Sequence, residues 1–137
     1  LEGFPVSELY SGLRVLIVDD TSAMRLVLRN MLTGFGCSDM IEAGNGDLGW
    51  KHLTESQAPV HLVLCDILMP GSDGISLLKR IRADTRYAKL PVIMVTAEGE
   101  RSSILNAIEA GASGYLVKPV QLEKLDESIR KVLARRA

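Results

Sequence analysis

Four apolar residues, Leu62, Val63, Leu64 and Cys65, run together and stop at Asp66. A segment that is apolar at every position, not at alternate ones, reads as a strand covered on both faces, as in a parallel sheet. A carboxylate at the C-terminal end of such a strand lies where open α/β sheets bind their ligands. Met69-Pro70-Gly71 then bars a simple continuation as strand or helix, and Asp73-Gly74 opens a helix. Taken alone, Asp66 is better read as a cap or turn residue after a core strand. The other strand ends change that reading.

Short apolar segments at 14–18, 39–42, 62–65, 92–95 and 115–117 alternate with helical patterns at 22–33, 47–55, 74–82, 101–110 and 122–135. Met24, Val27, Leu28, Met31 and Leu32 follow the i, i+3, i+4, i+7, i+8 spacing of one buried helix face. Thr21 or Ser22 caps that helix, and Gly34 and Gly36 end it. Trp50 and Leu53 face inward from the second helix, and Leu77, Leu78 and Ile81 from the third. Ile104, Leu105 and Ile108 are the apolar residues of the fourth, and Leu122, Leu125, Ile129, Val132 and Leu133 turn inward from the fifth. Gly49, inside the second helix, costs about 1 kcal/mol relative to Ala and suggests close packing against a neighbour. Right-handed crossovers place helices on both faces of a parallel sheet, so the chain reads as one three-layer α/β domain.

The length of 137 residues suits a single domain with a real core. Residues 1–12, with the breakers Gly3, Pro5 and Gly12, read as a lead, and 13–137 as the domain. Phe4, Val6, Leu9 and Tyr10 in the lead can pack on the domain surface, and the start at Leu1 suggests a fragment or added residues. A formal net charge of −1 points to neither nucleic acid nor membrane. Cys37 and Cys65 have no metal-type spacing, Cys65 reads as a small buried hydrophobe, and a reducing cytoplasm is the expected setting. His52 and His61 also lack ligand spacing, and Arg130, Lys131, Arg135 and Arg136 read as a solvated helix C-terminus.

In a parallel sheet, the C-terminal strand ends share one edge. Here they carry Asp19-Asp20, Asp66, Thr96 and Lys118. Carboxylates about 4 Å apart repel by on the order of 4 kcal/mol per pair at an effective dielectric of 20, and one lysine does not offset three of them. A divalent cation is implied, and all-oxygen ligation selects magnesium, manganese or calcium over zinc. Few carboxylates with open water positions suit Mg2+ and a phosphate partner. An aspartate can attack phosphorus to give an aspartyl phosphate, with lysine and a threonine hydroxyl stabilising the transferring group.

With these motifs in hand, the chain resembles the receiver domain of bacterial response regulators. The resemblance rests on Val15-Leu16-Ile17-Val18-Asp19-Asp20, Asp66-Ile67-Leu68-Met69-Pro70 with Asp73-Gly74, Val95-Thr96-Ala97 and Gly114-Tyr115-Leu116-Val117-Lys118-Pro119. It extends from Leu13 to Ala134. Thr21-Ser22-Ala23-Met24-Arg25 and Thr96-Ala97-Glu98 resemble the stand-alone chemotaxis regulators within that family.

The resemblance implies a flavodoxin-like (βα)5 fold with strand order 2-1-3-4-5. It implies Asp66 as phosphoacceptor, with Lys118 and Thr96 assisting. The metal site would be Asp19, Asp20, Asp66 and the backbone carbonyl of Leu68, holding Mg2+ with Mn2+ as a substitute. Thr96 and Tyr115 would form the switch pair, and the Lys118–Pro119 bond would be cis. The implied partners are a histidine kinase or phosphotransfer protein, and a target protein on the face of the fourth helix, fifth strand and fifth helix. No direct nucleic acid, no membrane, a monomer, and no enzyme activity beyond its own phosphorylation and dephosphorylation are expected. Two departures stand out. Leu68 is apolar where chemotaxis relatives are often polar, and Gly99-Glu100-Arg101-Ser102 gives a permissive start to the fourth helix.

Three other readings compete. A receiver cut from a larger regulator or hybrid kinase would share every motif. A haloacid-dehalogenase-type phosphatase expects Asp-x-Asp after the first strand, whereas Asp19 and Asp20 are adjacent. An FMN-binding flavodoxin expects a Ser/Thr- and Gly-rich phosphate loop there, which is missing.

Overall fold

The computed structural model describes residues 6–69, 74–97 and 101–135. Gly3, Phe4 and Pro5, Pro70, Gly71 and Asp73, the 98–100 segment and Arg136 lie outside these described residues.

The elements follow in the order α1 (Val6–Tyr10), β1 (Arg14–Val18), α2 (Ser22–Phe35), β2 (Asp39–Ala43), α3 (Gly46–Glu55), β3 (Leu62–Asp66), α4 (Gly74–Ala83), β4 (Val92–Thr96), α5 (Arg101–Glu109), β5 (Gly114–Val117) and α6 (Leu122–Ala134). Every strand pairing is parallel, and the order across the sheet is β2-β1-β3-β4-β5. β3 and β4 are buried at every position, as continuous apolar runs require.

Strand alternation divides the core into two layers. Val15, Ile17, Leu62, Leu64, Ile93 and Val95 face α2 and α6, where Leu28, Leu32, Leu125 and Ile129 meet them. Leu16, Val18, Val63, Cys65, Val92 and Met94 face the other way, toward Leu53, Leu77, Leu78, Ile81 and Ala107 of α3, α4 and α5. Each such side chain contributes roughly 1.5–3 kcal/mol by leaving water.

Local signals act where the chemistry predicts, with instructive exceptions. The Thr21 hydroxyl accepts the Met24 N–H at 3.3 Å and caps α2. Gly36, at φ 108°, ends the helix, while Gly34 lies inside it. Only a residue tolerant of the left-handed region suits the Gly36 position. A Cβ on Gly49 would stand 3.0 Å from Val18 Cγ2 and 3.2 Å from Leu77 Cδ2, which accounts for glycine where α3 presses on β1 and α4. Val27 and Leu122 are exposed, so the buried faces of α2 and α6 are narrower than the periodicity suggests. α5 departs most. Ala107 is its buried residue, while Leu105 is 61% and Ile108 52% exposed. The helix approaches the sheet on its small residue, and the larger apolar side chains beside that contact point to solvent.

His61 and the two cysteines have structural roles. The His61 Nδ1 accepts the Arg14 backbone N–H at 2.9 Å at the opposite edge of the sheet. Cys37 and Cys65 are buried and form no disulfide. Among the described residues, no helix is long and apolar enough to cross a membrane.

Leu9 and Tyr10 of the lead do pack on the domain, and Tyr10 goes deeper than a surface contact. Tyr10 is fully buried, its ring centroid lies 5.0 Å from that of Phe35, and its hydroxyl donates to Asp126 Oδ1 at 2.6 Å. Asp126 also accepts the Arg130 Nε–H at 3.0 Å. Burial, and then the Asp126 carboxylate, hold the phenol well above its ordinary pKa, so it remains a hydrogen-bond donor. One side chain from α1 thus joins α2 to α6. Denaturant unfolding should show Tyr10→Ala destabilised by about 3–5 kcal/mol, and Tyr10→Phe by about 1–2 kcal/mol. Parent-like stability of Tyr10→Ala would mean that the lead is dispensable.

Candidate functional site

Topology delivers the expected strand ends to one edge. The Asp19 N–H donates to the Ala43 carbonyl at 3.1 Å, which prolongs β1 beside β2. Asp66 is the last residue of β3, and Thr96 the last of β4. The Lys118 N–H donates to the Thr96 carbonyl at 2.8 Å, and the Lys118–Pro119 peptide is cis. Lys118 Nζ then lies 3.3 Å from both Asp19 Oδ2 and Asp66 Oδ2. Carboxylate oxygens of Asp19, Asp20 and Asp66 lie within 4.8 Å of one another. Asp19 and Asp66 are buried, and Asp20 is exposed.

The neighbours of this cluster hold it in shape. Asp19 Oδ1 accepts the Thr21 N–H at 2.9 Å and the Thr21 hydroxyl at 3.1 Å. The Gly74 N–H donates to the Ile67 carbonyl at 2.7 Å, and a Cβ on Gly74 would collide with the Asp66 carbonyl oxygen. The sequence reading gave Thr21 only a capping role and Gly74 only the start of a helix. Both contacts are local, Thr21 reaching back two residues to Asp19 and Gly74 folding back on the end of β3, and helical periodicity does not report such loop geometry.

Two expected residues stand apart from the carboxylates. Thr96 is buried, and its hydroxyl donates a long bond of 3.4 Å to the Ala97 carbonyl. Tyr115 is 46% exposed on the edge strand β5, beside a groove of about 370 Å³ bordered by α5 and α6. The Leu68 side chain points to solvent.

The donor set fits a hard dication. Its ligand atoms are all oxygen, and one ammonium leaves two of three carboxylate charges without a counter-charge inside the cluster.

A family model described as the response regulator receiver domain matches residues 15–130. The chain belongs to this receiver family. It is 41% identical over 123 residues to the chemotaxis protein CheY of Pseudomonas aeruginosa, covering 90% of this chain and 98% of that one. It is 38% identical over 121 residues to a chemotaxis protein CheY homologue of Campylobacter jejuni, covering 88% and 92% respectively. Among solved structures, a putative response regulator from Chloroflexus aurantiacus superposes with a TM-score of 0.83 at 33% identity, covering 89% of this chain and 98% of that one. The phosphatase and flavodoxin readings are not favoured.

Within the receiver, charges at the cluster are unevenly matched. Burial pushes the Asp66 pKa up, Lys118 pulls it back, and Asp19 adds to the rise; the net direction is upward. For Lys118, burial acts downward, but attraction to Asp66 and Asp19 and the hydrogen bonds to both lift its pKa overall. A carboxyl whose pKa is higher in the folded than in the unfolded chain binds its proton more tightly when folded. Its charge therefore costs stability as pH rises from the unfolded to the folded value, and that cost persists at neutral pH. In chelator-treated protein at pH 7, Asp66→Asn should melt a few degrees above the parent. The difference should shrink as pH falls toward the ordinary aspartate value of about 3.9. An Asp66→Asn variant that melts lower at pH 7 would contradict this charge balance.

Proposed function

We propose that this receiver takes a phosphoryl group on Asp66 from a histidine kinase or a histidine phosphotransfer protein. The observation that carries the reading is a buried carboxylate 3.3 Å from Lys118 Nζ within a cluster whose third carboxylate, Asp20, is exposed. In the step itself, an Asp66 oxygen forms a bond to phosphorus as the phosphorus–nitrogen bond to the donor imidazole breaks. The leaving nitrogen keeps the electron pair. Lys118 balances charge on the phosphoryl oxygens, and the Thr96 hydroxyl donates to one of them.

Asp19, Asp20, Asp66 and the Leu68 backbone carbonyl would hold Mg2+, or Mn2+ in its place. When bound, that cation supplies the positive charge that the cluster lacks. The chain catalyses only its own phosphorylation and dephosphorylation.

Phosphorylation then biases a two-state element. Thr96 moves to the phosphoryl group, and Tyr115, now half exposed, turns inward. This alters the α5–β5–α6 face, where Leu105, Ile108, Tyr115, Val117 and Leu122 are exposed. Similarity to chemotaxis proteins supports a protein target in chemotaxis. In this reading the receiver acts as a monomer, without nucleic-acid or membrane contact. Mass spectrometry after incubation with acetyl phosphate and Mg2+ should find one phosphate on Asp66, and none on Asp66→Asn or after chelation. Full labelling of Asp66→Asn at another residue would overturn the assignment.

A further inference from the structure

Asp19 and Asp20 share a peptide plane, and the carbonyl of that plane is the Asp19 oxygen. Arg25 Nη1 donates to it at 2.6 Å. The Arg25 side chain is only 19% exposed, and its Nε donates to Glu42 Oε1 at 3.0 Å. The other Glu42 oxygen accepts from Arg29 Nη1 at 3.1 Å. A chain of contacts thus runs from α2 through edge strand β2 and back to the peptide that carries two of the three clustered carboxylates.

We propose that Arg25 is a positioning residue for the acidic cluster, with Glu42 as its anchor. A carboxylate is aimed by its own side-chain bonds and by the peptide from which it projects. Thr21 and Lys118 restrain the Asp19 carboxylate itself. Arg25 restrains the plane beneath both Asp19 and Asp20. Because Asp20 is exposed, the peptide supplies much of its orientation. The planar fork of arginine can serve the carbonyl and Glu42 together, and a lysine ammonium is a single point donor without that geometry. Glu42 has a second effect. It offsets the Arg25 charge, which would otherwise repel a cation held by the cluster.

Positioning and bare charge make opposite predictions, which makes the proposal testable. If Arg25 acted only through its charge, Arg25→Met would bind Mg2+ more tightly and Arg25→Lys would match the parent. Positioning predicts that both variants bind Mg2+ roughly tenfold more weakly by calorimetric titration, the scale expected for residues that support metal ligands. This part rests on the proposed Mg2+-dependent function.

A metal-free measurement separates the two claims. The Thr21 N–H donates to the Asp19 carboxylate, so its amide hydrogen exchange reports whether that carboxylate stays aimed. Exchange at Thr21 should accelerate severalfold in chelator-treated Arg25→Met, while amides of Leu28 and Leu32 inside α2 keep their parent rates. Unchanged Thr21 exchange overturns the positioning role, whatever Mg2+ does. Equal acceleration at Leu28 and Leu32 also overturns it, because Arg25 would then support only the helix. Failure of the parent to bind Mg2+ would defeat the proposed phosphoacceptor function, and Thr21 exchange would still decide the role of Arg25.

Discussion

Lys118 Nζ, equidistant at 3.3 Å from two buried carboxylates, is the contact on which the site depends. Without it, Asp19 and Asp66 would be two buried like charges with Asp20 beside them, a costly arrangement. With it, the cluster holds together and still lacks positive charge. That residual deficit suits the edge to a cation, which together with Lys118 would meet the negative charge of a phosphoryl group. The contact joins the ends of β1, β3 and β5, so it exists only when those strands are aligned with β4 in one parallel sheet.

The surrounding structure makes that contact reproducible. β1 and β3 end side by side because Val18 and Cys65 are in register. β5 reaches Lys118 through pairing with β4, continued by the bond from the Lys118 N–H to the Thr96 carbonyl. Both faces of the sheet are packed with apolar side chains, which fixes the strand ends to the layers beneath them. The rim is less constrained. On α5 a single small residue, Ala107, makes the buried contact, and β5 is an edge strand with Tyr115 and Val117 exposed. A firm acidic floor beside a lightly packed edge suits a device that converts a local charge change into a surface change.

Much of this was legible in the residues. Leu62, Val63, Leu64 and Cys65 announced a strand covered on both faces, and the helical spacings between strands announced crossovers. Once the strands were parallel, Asp19, Asp66, Thr96 and Lys118 had to share an edge. What escaped was decided by contacts between distant segments. Tyr10 and Asp126 are 116 positions apart, and nothing near Tyr10 reveals a hydrogen-bond partner on the last helix. Leu105 and Ile108 were legible only as apolar residues, and that α5 approaches the sheet on Ala107 and leaves them exposed was not. Gly49 was legible as a close contact, although not which neighbours made it. Arg25 appeared only as part of a motif, because its role lies in reaching back across the Asp19–Asp20 peptide.

The central claim is that the clustered carboxylates and Lys118 form one cation and phosphoryl site with Asp66 as the acceptor. A crystal structure of the protein with Mg2+ and beryllofluoride tests it most directly. The account predicts beryllofluoride bonded to an Asp66 oxygen, Lys118 and Thr96 against its fluorines, and Mg2+ among Asp19, Asp20 and Asp66. Beryllofluoride on another residue, or Mg2+ bound away from these carboxylates, would contradict it.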